Sequence, residues 1–405
     1  MTMEDKNSLA APVYLDNAAT TPMDARVIDA MSTVMRDIYA NPSSSTHAMG
    51  RHARDMVEMA RGRVARLIGA SAGEIVFTSG ATESCNLAIK GVAEMYADRG
   101  RHVIVSRAEH KAVIEPCRRL EREGYSVTWL ETDQHATVSA GRVADAIRND
   151  TILVCVMAVN NVVGTINPMD EIGQVCKKRG VLFFCDATQA VGKVPVDVEQ
   201  AGVDLLAMSA HKLYGPKGSG ALYVRGRSPR VRLTPLIDGG GQERGLRSGT
   251  LNTAGIAGMG LACELAQADL AAESQRLALL RHNFEEGLLA RIGGLRVLGR
   301  QSPRAPHISS ILFGDVDAAI LLETTPGLAA STGSACGTND PSPNHVLRAM
   351  GLSEDEARAS VRFSMGRFSD QTQLRRGVEL ICDSFQRLTG KLAAERRCCD
   401  GKCCG

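Results

Sequence analysis

Residues 209–220 read SAHKLYGPKGSG, directly after the apolar run VDLLAM and ahead of a second one, ALYV. A lysine at the mouth of a buried strand ordinarily snorkels, its ammonium reaching water past the strand end. The same position suits an amine that forms a Schiff base with a carbonyl. Taken alone, Lys212 leaves both readings open. Asp186, with Gln189 three residues on, closes another apolar run in VLFFCDATQAVG. A carboxylate there needs a partner, because unpaired burial costs several kcal/mol. A helix N-cap satisfies that need, and so does a protonated ring nitrogen. EIVFTSGATESCNL reads as strand, small-residue turn and helix, so the amides of Ala81 and Thr82 with the Thr82 hydroxyl can face an anion. An ordinary cap by Ser79 or Thr82 is the alternative. His110 follows HVIVS, and Asn161 follows TILVCVMAV.

From about residue 55 to 265, helical periods alternate with short apolar runs. Met56, Met59, Ala60, Val64, Leu67 and Ile68 recur at helical spacing. The runs EIVFTS, HVIVS, SVTWLE, TILVCVMAV, VLFFCDA and DLLAMSA lack polar alternation, which predicts strands buried on both faces of a mostly parallel sheet flanked by helices. ALYVR reads as an added, antiparallel strand. Five strand ends thus present Thr82, His110, Asn161, Asp186 and Lys212 at one sheet edge, where open α/β sheets bind ligands. An anion cradle, a carboxylate, a flat imidazole and a lysine amine together describe a pyridoxal phosphate (PLP) site with Lys212 as its Schiff-base lysine.

The chain also carries YLDNAATTP, NPSSSTH, TSGATES, EHKAV, DATQAVGKVPVDV, SAHKLYGPKGSGALYVR, GGGQERGLRSGTLN and STGSAC, in unbroken order across nearly all of residues 13–370. In these motifs it resembles the group I cysteine desulfurases of the NifS/IscS type, in the class-V aminotransferase family. The resemblance implies an α/β enzyme of PLP fold-type I and a homodimer. Its reaction would take sulfur from L-cysteine, leave L-alanine and hand the sulfur to an acceptor such as an iron–sulfur scaffold protein.

Residue by residue, the resemblance gives Lys212 as the Schiff-base lysine and α-proton base, and Asp186 as the partner of the pyridinium nitrogen. Gln189 and Asn161 would lie by the ring phenolic oxygen, and His110 would stack on the ring. Ala81, Thr82, Ser209 and His211 would hold the phosphate, with Thr250 reaching it from the other subunit. Arg362, with Asn41 nearby, would bind the substrate carboxylate as a guanidinium can. Cys336 would attack the substrate sulfur and carry it as a persulfide; its setting, STGSACGTNDPSPN, is small, polar and turn-rich. The chain departs from the family pattern at Val162, at Phe184 and at GTND after Cys336.

The remaining features bound these expectations. The chain has 405 residues, 44% apolar and 23% charged, with a net charge of +2. That composition is globular and carries no polyelectrolyte signature, so nucleic acid is not expected as a direct partner. No run approaches the ~18 apolar residues of a membrane span, and the N-terminus has no signal-peptide core, which predicts a cytoplasmic protein. The expected layout is an N-terminal segment (1–20) packing with the small domain, a large PLP-binding domain (21–264), a small α/β domain with the Cys336 loop (265–388), and a mobile tail (389–405). Among the twelve cysteines, Cys398, Cys399, Cys403 and Cys404 form CCDGKCCG in that tail. They fit a sulfur relay, a soft-metal or cluster site to which Cys336 could also contribute, or a tail without a role. A selenocysteine lyase shares almost the same site, a PLP aminotransferase or β-lyase would not need Cys336, and an idle assembly scaffold would lack cofactor colour.

Overall fold

The computed structural model describes residues 12–332 and 344–399, with side chains through residue 390. The chain opens with β1 (Val13–Tyr14), α1 (Ala25–Asp37) and α2 (Ala48–Leu67). Strands and helices then alternate: β2 (Ile75–Thr78), α3 (Ala81–Met95), β3 (His102–Ser106), α4 (Lys111–Arg122), β4 (Ser126–Leu130), α5 (Ala140–Ala146) and β5 (Thr151–Cys155). α6 (Met169–Arg179), β6 (Leu182–Asp186), β7 (Leu205–Ser209) and β8 (Gly220–Val224) complete that half. α6 shows how sequence sets such bounds: Asp170 and Glu171 occupy its first turn, Lys177, Lys178 and Arg179 its last, and Gly180 caps it in the left-handed region.

These strands form one seven-stranded sheet in the order β2-β8-β7-β6-β5-β3-β4. β8 alone runs against its neighbours; the pairs β7–β6, β6–β5, β5–β3 and β3–β4 are parallel. Alternate residues of each strand enter opposite layers. Phe183, Cys185, Leu206 and Met208 pack with Val57, Val64 and Met259 on one face. Phe184, Leu205 and Ala207 pack with Leu87, Val92 and Val113 on the other. The strand ends Thr78, Ser106, Cys155, Asp186 and Ser209 therefore share one edge of the sheet.

The long helix α7 (Thr253–Leu289) links this layer to the rest. Its first half sends Met259, Ala262 and Cys263 into the large core, and its second half sends Leu277, Leu280 and Phe284 into a separate one. Beyond it come β9 (Arg296–Val297), β10 (Ile308–Leu312), α8 (Ala318–Glu323), β11 (Leu328–Ala329), β12 (Ser331–Thr332), α9 (His345–Ala349), α10 (Glu354–Arg358), β13 (Ser360–Ser364) and α11 (Gln371–Cys399). β12, β13, β10 and β9 make an antiparallel sheet in that order. The N-terminal segment crosses to this side: β1 pairs in parallel with β11, and Val13 and Leu15 enter the core that holds Phe313 and Phe363.

The packing of α2 differs in detail from the sequence reading. In α2, Val57 is buried and Met59 is exposed, because the inward stripe also contains Arg61. Arg61 pairs with Glu243 at 2.7 Å, and the Glu243 carboxylate also accepts from the Phe77 amide at 2.8 Å. A buried ion pair thus breaks the apolar pattern. The backbone is helical from Gln371 to Cys399, so α11 runs on through residues 389–399 of the expected tail. Among the described residues no helix is long and apolar enough to cross a membrane.

Candidate active site

The shared strand edge opens into a cavity of ≈ 510 Å³, within the range of small-ligand sites. Ala81, Thr82, His110, Asn161, Asp186, Gln189, Ser209, His211, Lys212 and Arg362 all line it. Asn41 and Thr250 do not; both are exposed on the single chain. Cys336 lies outside the described residues, as do Cys403 and Cys404, while Cys398 and Cys399 fall in the last turn of the α11 backbone. Among the described residues no group of three or more His, Cys, Asp or Glu side chains is placed to hold a metal ion.

Lys212 ends a short 3₁₀ turn after β7, and its Nζ donates to the carbonyls of Ala18 and Ala19 at 2.7 and 2.6 Å. The ammonium is therefore held inside the cavity rather than sent to water. The turn itself is clamped to the N-terminal segment. Thr21 N donates to the His211 carbonyl at 2.9 Å, Tyr214 N to Thr21 Oγ1 at 2.8 Å, and Asp24 N to the Tyr214 carbonyl at 3.0 Å.

At the start of α3 neither Ser79 nor Thr82 caps the helix. The N-cap is Gly80, at φ 154°, and it makes no side-chain cap bond. Ser79 N is bonded instead to Glu83 Oε2 at 2.8 Å. The first amides of a 15-residue helix thus face the cavity without a side-chain acceptor, the arrangement that attracts an anion. β8 crowds this turn so closely that a Cβ on Gly220 would lie 2.5 Å from Gly80 Cα. Lys217 and His211 complete the polar rim. Burial and the neighbouring Lys212 and Lys217 ammonium groups lower the His211 pKa to about 4. His211 is a neutral hydrogen-bonding group here, with Nδ1 3.1 Å from Thr20 Oγ1.

His110 is both cap and cavity wall. Its Nδ1 accepts from the Ala112 amide at 3.1 Å, so a proton on the neutral ring belongs on Nε2. Asp186 is buried, and its Oδ1 accepts from the Thr188 amide at 3.0 Å, a local turn that fixes the carboxylate at the strand end. Gln189 Nε2 donates to the Ala18 carbonyl at 2.8 Å. Opposite the sheet edge stands Arg362 of β13, buried, with Nη2 3.0 Å from Asp16 Oδ1 and 3.2 Å from Ser331 Oγ, and Nη1 2.9 Å from the Asn161 carbonyl.

Several contributors escaped the sequence reading. The Ala18 and Ala19 carbonyls lie in the quoted motif YLDNAATTP, but only the fold brings them to Lys212. Thr188 lines the cavity, and Asp16 neutralises Arg362. Among the described residues, Asn161 Oδ1, Thr188 Oγ1 and Arg362 Nε of the cavity lining are buried with no hydrogen-bond partner. Such orphans each cost about 1–3 kcal/mol unless a ligand satisfies them. Together with the uncapped helix they fit a polar, anionic ligand such as PLP with an amino-acid substrate. Val162 and Phe184 are both buried in apolar clusters and do not line the cavity.

A mostly parallel sheet with an anion-ready helix terminus, a lysine and a carboxylate at one edge defines an α/β enzyme of the PLP fold-type I class. The family model for aminotransferase class-V matches residues 13–376, and the chain belongs to that family, whose enzymes in general depend on PLP. Within it, the chain is 48% identical over 377 residues to a cysteine desulfurase IscS from Anaeromyxobacter sp. (strain Fw109-5), covering 93% of each chain. It is likewise 48% identical over 379 residues to a cysteine desulfurase IscS from Aeromonas hydrophila, with 93% of each covered. A solved NifS-like protein superposes with a TM-score of 0.85 at 36% identity, over 92% of this chain and 98% of the other. A structure described as SspA in complex with cysteine gives 0.79 at 37% identity, over 88% and 99%.

Proposed function

We propose that this protein is a PLP-dependent cysteine desulfurase that converts L-cysteine to L-alanine and passes the sulfur through Cys336 to an acceptor protein. The carrying observation is the facing of Lys212, Asp186 and the uncapped start of α3 by one buried arginine across a single cavity. When bound, PLP supplies an electron sink for the bond-breaking at the amino-acid carbon atoms. The chain's own residues do the rest. The amides of Ala81 and Thr82, with Ser209 and the neutral His211, bind the phosphate. Asp186 would pair with the ring nitrogen, and His110 would lie against the ring. Asn161 and Gln189 reach the polar edge of the ring.

Arg362 takes the substrate carboxylate and so fixes which substrate bonds face Lys212. Lys212 moves the α-proton, its amine positioned by the Ala18 and Ala19 carbonyls until it is needed. The Cys336 thiolate would attack the substrate sulfur, the S–S bond of a persulfide forming as the substrate Cβ–S bond breaks and its electron pair stays with the three-carbon remainder, which takes up a proton and leaves as alanine. Working as a homodimer, each subunit would add its Thr250 to the other's phosphate site, which agrees with the exposure of that residue on one chain. The acceptor is a sulfur-handling protein of the iron–sulfur scaffold kind.

The test is alanine production from L-cysteine by the yellow holoenzyme, set beside Cys336→Ala. Alanine from the first and none from the second, with the yellow colour retained in both, is the expected result. Pyruvate from the parent enzyme, or equal alanine from the variant, would replace the desulfurase by a lyase or transaminase.

A further inference from the structure

Behind the cavity, at the start of β10, lies a histidine that the mechanism above does not use. His307 is 1% exposed, and its Nε2 is 3.2 Å from Gln189 Oε1. Its other ring nitrogen, Nδ1, is buried with no hydrogen-bond partner among the described residues. Its place is fixed by the backbone, since Met365 N donates to the His307 carbonyl at 2.9 Å.

The hydrogen-bond logic admits one arrangement. The Ala18 carbonyl, 2.8 Å from the Gln189 amide, is an acceptor only, so the amide must present its nitrogen there. A flipped amide would set two oxygens against each other. Oε1 therefore faces His307, and the ring must donate from Nε2. Nδ1 then carries no proton, as its lack of a partner permits. Burial and the cations Lys193, Arg281, Arg362 and Lys212 hold the His307 pKa well below its ordinary value, which keeps the ring neutral with its single proton on Nε2.

We propose that His307 is a positioning residue that locks the polarity of the Gln189 amide, so that the side chain offers an N–H and never its oxygen to the cavity. The amide has two N–H bonds, and one goes to Ala18. The other remains for an acceptor in the cavity, which Gln189 lines. Resting on the PLP reading above, that acceptor is the negatively charged phenolic oxygen of the cofactor ring. A donor there stabilises the oxygen anion, whereas a carbonyl oxygen would repel it. Ala18 ties the device to the catalytic amine, because its carbonyl also accepts from Lys212 Nζ.

The readout is the pH at which the visible absorption band of bound PLP changes, a property of the ring and its phenolic oxygen that loss of packing alone does not move. His307→Phe leaves only the Ala18 carbonyl to orient the amide, and the transition should move upward by ~0.5–1 pH unit, the equivalent of one hydrogen bond. His307→Gln, whose Nε2 reaches a similar place, should restore the parent value. Gln189→Glu keeps the acceptor for His307 but removes the N–H, and should shift the transition at least as far. In a Gln189→Ala background, His307→Phe should add nothing. If Gln189→Glu shifts the transition and His307→Phe does not, His307 plays no polarity role. An unmoved Gln189→Glu would sink the proposal even if His307→Phe failed to fold. Failure of the parent protein to take up PLP would overturn both this and the functional reading.

Discussion

The two walls of the cavity are built in different ways. On the sheet wall the polar groups sit at strand ends, and the imidazole and the carboxylate among them are fixed by neighbours in sequence. His110 bonds Ala112 and Asp186 bonds Thr188, both two residues away, and Gly80 turns directly into α3. On the opposite wall Arg362 comes from the middle of β13. Its partners Asp16, Asn161 and Ser331 are 346, 201 and 31 residues distant. The first wall is made by secondary structure, the second by tertiary structure. Under the proposed function the first holds the cofactor and the second selects the substrate, so the two tasks should separate under mutation.

The largest effect belongs to the residue that joins the walls. Lys212 is on the sheet wall, yet its amine is held by Ala18 and Ala19, carried in by the N-terminal segment. Lys212→Ala should lower alanine formation by more than ~10³-fold, the upper part of the range for losing a proton-transferring group, and should change the visible spectrum. Retained turnover with that lysine gone would remove it from the reaction.

Next is Arg362→Gln. Truncating a buried, hydrogen-bonded charge costs about 2–5 kcal/mol, so KM for L-cysteine should rise roughly 30-fold or more. PLP affinity should fall far less, because Asn161 alone of the cofactor-holding residues is touched, and only at its backbone carbonyl. A loss of PLP with unchanged KM would reverse the assignment of the walls. A finer probe is Ser331→Ala, which removes the long 3.2 Å hydrogen bond from the charged Nη2 and the 2.8 Å bond that the Ser331 hydroxyl donates to Asp16, while leaving the Arg362–Asp16 pair in place. About 1 kcal/mol, or a ~5-fold rise in KM with kcat and PLP affinity little changed, is expected.

The same contrast explains what could be read before the fold was seen. Thr82, His110, Asn161, Asp186 and Lys212 were legible because each follows an apolar run, and a parallel sheet puts all such ends at one edge. The antiparallel setting of β8 was legible for similar local reasons. Arg362 was not: SVRFS reads as a strand with a charge in it, and only the resemblance gave that charge a task. β1, β11 and β12 span two residues each, too short for any period, and β1 pairs across more than 300 positions. Arg61 and Glu243 stayed hidden because a buried ion pair looks like surface to a hydropathy pattern. Ala18 and His307 act through backbone and tautomer, which residue type does not encode.

The smallest predicted effect concerns the underside of the sheet wall, where Glu109 separates Ser106 from His110. It is fully buried; Oε1 accepts from the Met157 amide at 2.7 Å, and Oε2 has no hydrogen-bond partner among the described residues. Burial first, then the Asp186 carboxylate, push its pKa well above the usual value. The folded chain therefore prefers Glu109 protonated, while the unfolded chain ionises it near its ordinary ~4.3. Its contribution is complete below that pH and is lost progressively as pH rises toward the folded-state value, since the unfolded state then binds fewer protons. Glu109→Gln keeps the shape and the acceptor for Met157 but has nothing to ionise. Its Tm should match the parent near pH 4.5 and exceed it by roughly 2 °C at pH 8, with KM unchanged. A Tm difference that stayed constant across that range would mean that Glu109 is ionised in place, and that the sheet wall carries a second buried charge beside Asp186.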